Sequence, residues 1–207
     1  MWNFDIVKRV KKEKRKDKMP NKKNNSKKKI SEEKRKQIEN QVQILMKDIG
    51  YCDNGKAVDI ISVAKKLGFT IINAKMNNGD DGFVIVRDGV NDILGIKTNK
   101  LIGVNVDRTL PWKRFIIAHE IAHYLMTPEV ALYAHRQNIK GKDDNENEAD
   151  FFAANLLMPR EKFTNRYNEL KKNEIENKIL VSILAAEFVV TEIMIKRRIK
   201  ELELDGK

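Results

Sequence analysis

The sequence predicts an α+β fold, in which a small antiparallel sheet packs on a pair of helices and a helical C-terminal segment resembling a helix-turn-helix follows. Three observations lead there. Apolar residues recur at helical spacing over 31–50 and 58–68, then give way over 69–107 to short β-branched runs broken by turn signals. Helical patterning resumes from Pro111 onward.

The first helix is expected to open at Ser31, with Ile38, Val42, Leu45, Met46 and Ile49 on its apolar face, and to end at Gly50. VDIISVAKKLG (58–68) repeats the pattern, with Gly68 as its C-terminal cap. FTIINAKM, GFVIVRD and ILGIKTNKLIGVNVD then read as strands separated by the turn signals NNGDDG and DGVND. Pro111 to Met126 and Asn145 to Leu157 return to helix, the second ending at Met158-Pro159, and shorter helices fill the remainder.

With 207 residues, 41% of them hydrophobic, the chain can bury one core with a small appended module. The net charge of +11 suggests a polyanion partner until it is located. Residues 1–30 carry 13 Lys/Arg against 3 Asp/Glu, a net +10, leaving +1 for the rest. That arm has too little apolar surface to order itself and is expected to be a disordered basic tail. A single cysteine, Cys52, rules out an internal disulfide. No run of 18 apolar residues occurs, and MWNFDIVKRV followed by a lysine run is not expected to act as a secretory leader. Together these predict a reducing, cytoplasmic setting without membrane contact.

The chemistry is concentrated in RFIIAHEIAHYLM (114–126). His119 and His123 lie one helical turn apart and leave the same face, so two neutral imidazoles can share one divalent cation. Glu120 between them has the position of a general base toward water activated by that cation. A catalytic zinc takes three protein ligands, so a third must come from elsewhere. NENEADFFAANLLMP, beginning at Asn145, offers one: Glu146 and Asp150 stand at i and i+4 and can face the histidine helix while Phe151, Ala154 and Leu157 pack. Glu146 is then the third ligand. Asp150 can accept the outer N–H of a ligand histidine and so orient its ring. Glu148 competes with Glu146 but is expected on another face. Zinc suits two His plus Glu, and the same donors accommodate manganese or iron.

RFIIAHEIAHYLM followed about 25 residues later by ENEADFFAANLLMP resembles the paired signature of the ImmA/IrrE family of metallo-endopeptidases. VDIISVAKKLGFTII, GFVIVRDG and LIGVNVD resemble the segments that precede it, so the resemblance covers roughly Ala57 to Pro159. It implies a zincin-type pair of active-site helices and a gluzincin-like site, with His119, His123 and Glu146 as metal ligands and Glu120 as catalytic base. It further implies a protein substrate, a helix-turn-helix transcriptional repressor encoded nearby on a mobile element or in a stress-response locus. The expected organisation is a basic arm (1–30), a metallopeptidase domain (31–160) and a helical C-terminal segment (161–207).

An oxyanion donor is also expected, with Tyr124, Tyr133 and His135 the nearest candidates. Arg114 can bind a carboxylate or project into solvent. Met126, Met158, Phe151 and Phe152 read as core. In the C-terminal segment, helices at Leu180–Phe188 and Thr191–Leu202 meet at Val189-Val190 without the usual turn glycine, and the second carries Lys196, Arg197, Arg198 and Lys200. Such a unit either packs on the peptidase or contacts DNA. The rival reading is therefore a DNA-associated regulator or scaffold whose metal site is structural or inert.

Overall fold

The computed structural model describes residues 30–76, 80–126 and 144–205. The basic arm before Ile30, Tyr133 and His135 lie outside them. The described elements run α1 (Glu32–Asp48), α2 (Ile60–Lys66), β1 (Thr70–Ala74), β2 (Gly82–Ile93), β3 (Ile96–Asn105), α3 (Leu110–Met126), α4 (Asp144–Leu157), α5 (Arg160–Lys172), α6 (Asn177–Phe188) and α7 (Glu192–Glu201). This is the mixed α+β architecture that the patterning predicts.

Local chemistry sets the helix ends. Ser31 caps α1 by accepting the Lys34 amide, and Gly50 closes it at φ +61°. Asp59 caps α2 by accepting the amides of Ile61 and Ser62, each at 3.1 Å. At its other end Gly68, at φ +85°, lets the Phe69 amide reach back to the Ala64 carbonyl at 3.0 Å.

The three strands lie in the order β1-β3-β2. The expectation of an antiparallel sheet holds for β2 with β3 but not for β1, which runs parallel to β3. The reason is topological. β2 and β3 form a hairpin with β3 in the centre, so β1, which runs opposite to β2, must follow the direction of β3. The turn expected at DGVND also falls elsewhere. Gly89, at φ +68°, sits where the register shifts between Val86 and Asn91, and β2 continues through it. The reversal is made by Leu94-Gly95, both at positive φ, as a two-residue hairpin flanked by the pair Ile93 and Ile96.

β3 is buried from Leu101 to Asn105 because it is central and packed on α3. Phe83 lies over Gly103 so closely that a Cβ there would meet its ring at 2.3 Å. The helix α3 is flanked by the sheet on one side and α4 on another, with α1 beyond α4. Its residues 116–123 are all buried, which explains an apolar run that carries ionisable groups. One hydrophobic core extends without interruption from Ile38 of α1 to Leu202 beyond α7, so the C-terminal helices pack into the body of the molecule.

The junction of α6 and α7 is unusual. Val189 occupies the left-handed position (φ 51°, ψ 54°) where a glycine is ordinarily found. Thr191 then caps α7 by accepting the Met194 amide. Among the described residues, no helix is long and apolar enough to cross a membrane.

Candidate metal centre

His119 and His123 leave α3 on one face with ring centroids 4.7 Å apart, and their Nε2 atoms approach to 3.1 Å. α4 brings Glu146 over them: Oε2 lies 3.5 Å from His119 Nε2, and Oε1 lies 3.8 Å from His123 Nε2. Donor atoms bound tetrahedrally to zinc at roughly 2.0–2.1 Å stand about 3.3 Å from one another. The three donors therefore already have the mutual spacing of one coordination sphere, and His119, His123 and Glu146 could together hold a metal ion. All three are shielded from solvent, with 5 to 28% of each side chain exposed. Two nitrogens and a carboxylate oxygen suit zinc chemically.

Asp150, one turn after Glu146, places Oδ1 3.0 Å from His119 Nδ1. At that separation the carboxylate stands in ion-pair range of the outer ring nitrogen, the position from which an acidic group favours the tautomer whose Nε2 lone pair faces the shared site. Glu120 is buried at 2% exposure next to His119 in sequence and close to the start of β2. A Cβ on Gly82 would stand 3.7 Å from Glu120 Oε1 and only 2.3 Å from Ile116 Cγ2. Glycine at 82 thus lets the edge strand approach the helix that carries the histidines.

The two neighbouring glutamates of α4 take different partners. Glu148 turns to the other side of α4, where Lys34 pairs with its Oε2 at 3.1 Å. Tyr124 faces away from the donors. Its ring meets Phe69 edge-on, and its hydroxyl accepts from Lys100 Nζ at 2.7 Å, so it serves packing instead of an oxyanion. Trp112 stacks on Phe115, whose ring lies 6.2 Å from His119, giving the same helix a partly exposed aromatic approach to the donors.

Three arginines behave as sequence spacing does not foretell. Arg114, partly buried, is held by backbone: its Nε donates to the Val189 carbonyl at 3.1 Å and its Nη2 to that of Val58 at 2.7 Å. Arg198 is fully buried and donates to Asn155 Oδ1 at 2.7 Å and the Met158 carbonyl at 3.2 Å. Burial pushes its pKa down to about 10. Arg197 reaches Asp150 Oδ2 at 3.2 Å. Partial burial pulls its pKa down, but the carboxylates of Asp150 and Glu201 outweigh that and leave it raised. The nearest sequence signal, a basic stretch on the last helix, suggested a partner instead.

A small sheet packs against the helix that carries His119, Glu120 and His123, and a second helix brings Glu146 to the two imidazoles. The chain belongs to the Peptidase_M78 family, whose IrrE N-terminal-like domain matches residues 64–200. A solved structure described as a transcriptional regulator from Mycobacterium tuberculosis shares the fold, with a TM-score of 0.51 at 13% identity. The alignment covers 79% of this chain and 46% of that one, so this chain spans about half the length of that regulator. No curated protein matches the sequence.

Proposed function

We propose that this chain is a zinc-dependent endopeptidase that cleaves a regulatory protein, and that the substrate is a helix-turn-helix transcriptional repressor. The observation that carries the reading is the convergence of His119 Nε2, His123 Nε2 and Glu146 within 3.1 to 3.8 Å of one another, beside a buried Glu120. The substrate class rests on family resemblance.

In this reading His119, His123 and Glu146 hold the cation, and Asp150 keeps the His119 ring turned toward it. A cation held there would supply Lewis acidity toward water and the scissile carbonyl. Glu120 takes the proton from the attacking water and returns it to the leaving amine nitrogen as the C–N bond breaks. Its low exposure places that transfer in a poorly solvated site, where charge interactions are strengthened. Manganese could occupy the same donors.

The test is direct. Purified protein should carry about one divalent metal per chain, and Glu120→Gln should retain it while losing cleavage of a repressor encoded beside the gene, with fragments mapped by mass spectrometry. Cleavage undiminished in Glu120→Gln would overturn the reading. A DNA-binding role draws less support, since Arg197 and Arg198 are engaged within the protein. Salt-dependent binding to duplex DNA without cleavage of any partner would favour it.

A further inference from the structure

We infer that Arg197, on the last helix of the C-terminal unit, is a positioning residue for the metal centre, acting through Asp150 on His119. The inference rests on the metallopeptidase reading and goes beyond it by tying the C-terminal helices to the site.

The path is short and continuous. Arg197 Nη1 lies 3.2 Å from Asp150 Oδ2, and the other oxygen of the same carboxylate lies 3.0 Å from His119 Nδ1. Asp150 therefore accepts a hydrogen bond from a guanidinium on α7 and stands in ion-pair range of an imidazole on α3, and only 7% of its side chain is exposed. A carboxylate gripped by a second donor loses rotamer freedom, so its remaining oxygen stays aimed at the histidine. The histidine ring in turn keeps its tautomer and its direction toward the cation. Without the second donor, Asp150 can rotate about its χ angles and the ring is less firmly oriented.

Arg197 is itself fixed in place. Its Nε donates to Glu201 Oε1 at 3.0 Å, one turn further along α7. Its neighbour Arg198 is fully buried and anchors α7 to the end of α4 through Asn155 and the Met158 carbonyl. α7 thus meets α4 at two points, one carrying Asp150 and one at the helix C-terminus. The buried arginine explains why the last helix lies where it does. The half-exposed one, 47% accessible, gives that placement a consequence at the metal.

The experiment compares wild type, Arg197→Ala, Arg197→Lys, Asp150→Asn and the Arg197→Ala/Asp150→Asn double variant. Zinc affinity is read by chelator competition, the visible spectrum is recorded after cobalt substitution, and the thermal midpoint of each metal-free protein is measured. Arg197→Ala should weaken zinc on the order of tenfold and alter the cobalt spectrum, while the metal-free midpoint stays close to that of wild type. Arg197→Lys, which retains a cation able to reach Asp150, should recover most of the loss. In the Asp150→Asn background Arg197→Ala should add nothing, because the path runs through that carboxylate.

Unchanged zinc affinity and cobalt spectrum in Arg197→Ala would overturn the inference. So would a loss that persists undiminished in the Asp150→Asn background, or one that merely tracks a fall in the metal-free midpoint. His119→Ala separates this from the underlying reading: if it binds zinc as well as wild type, the metal centre itself is wrongly assigned and the inference falls with it.

Discussion

Arg114 Nε donates to the carbonyl of Val189, linking the helix that carries both histidines to a left-handed residue between the two C-terminal helices. A β-branched residue at positive φ is strained by roughly 1–2 kcal/mol, and here the surrounding contacts hold it there. Val189→Gly should relieve that strain and stabilise the protein by about 1 kcal/mol, less whatever the lost side chain contributed to the core. Arg114→Met should remove two charged hydrogen bonds and cost about 2–3 kcal/mol. Denaturant midpoints check both, and a Val189→Gly variant several kcal/mol less stable than wild type would show the valine side chain to matter more than its backbone.

At Gly82 the edge strand and α3 are too close for a side chain. A Cβ would meet Ile116 Cγ2 at 2.3 Å and the Gly103 carbonyl at 3.0 Å. Gly82→Ala should therefore destabilise the protein by about 1–3 kcal/mol, as overpacking does, and reduce activity through displacement of Glu120. Unchanged stability and unchanged turnover would show that β2 moves aside freely.

The two acidic neighbours on α4 should behave differently. Glu146→Gln removes a charged oxygen from the donor cluster and should lower metal affinity by more than an order of magnitude. Glu148→Gln should leave affinity unaltered and lose only a partly exposed ion pair with Lys34, worth under about 1 kcal/mol. Chelator titration of both variants distinguishes the roles, and equal losses would mean that the ligand assignment is wrong.

Metal should also stabilise the fold, because the cluster joins α3 to α4. At free metal a hundred times Kd, the gain is about 2.7 kcal/mol. Adding chelator should lower the thermal midpoint of wild type and leave that of His123→Ala unmoved. A midpoint in wild type that ignores chelator would contradict a bound ion.

Asp59 supplies a pH dependence outside the site. Its carboxyl is held below the ordinary value of 3.8, first by the Ser62 hydroxyl and amide, against partial burial, with the Ile61 amide and Arg114 adding to the effect. The folded value lies below the unfolded one. The cap's charge therefore stabilises fully above the unfolded value, and that contribution is lost as pH falls through the folded one. Asp59→Asn should be the less stable protein at neutral pH, and the difference from wild type should close below about pH 4. A gap that stays constant down to pH 2 would rule out ionisation of Asp59 as its source.

Much of the fold is legible locally. Ser31, Asp59 and Thr191 cap helices through their own side chains, and Gly50 and Gly68 end them by adopting positive φ. The spacing His119, His123 and Glu146, Asp150 is also local, since one helical turn puts each pair on a common face. What misled was equally physical. Gly89 can turn a chain or bulge a strand, and only pairing with β3 selects the bulge.

By itself, then, the sequence determined the element types, the faces of α3 and α4, and which side chains could share a cation. Tertiary structure alone decided that β1 runs parallel to β3, that Glu148 belongs to Lys34, and that Arg114, Arg197 and Arg198 bind backbone and side chains across the molecule. The reason is range: helical periodicity and caps act over a few residues, whereas a guanidinium chooses its acceptor after distant helices have packed. Arg197 and Asp150 are 47 residues apart in the chain and share no local pattern.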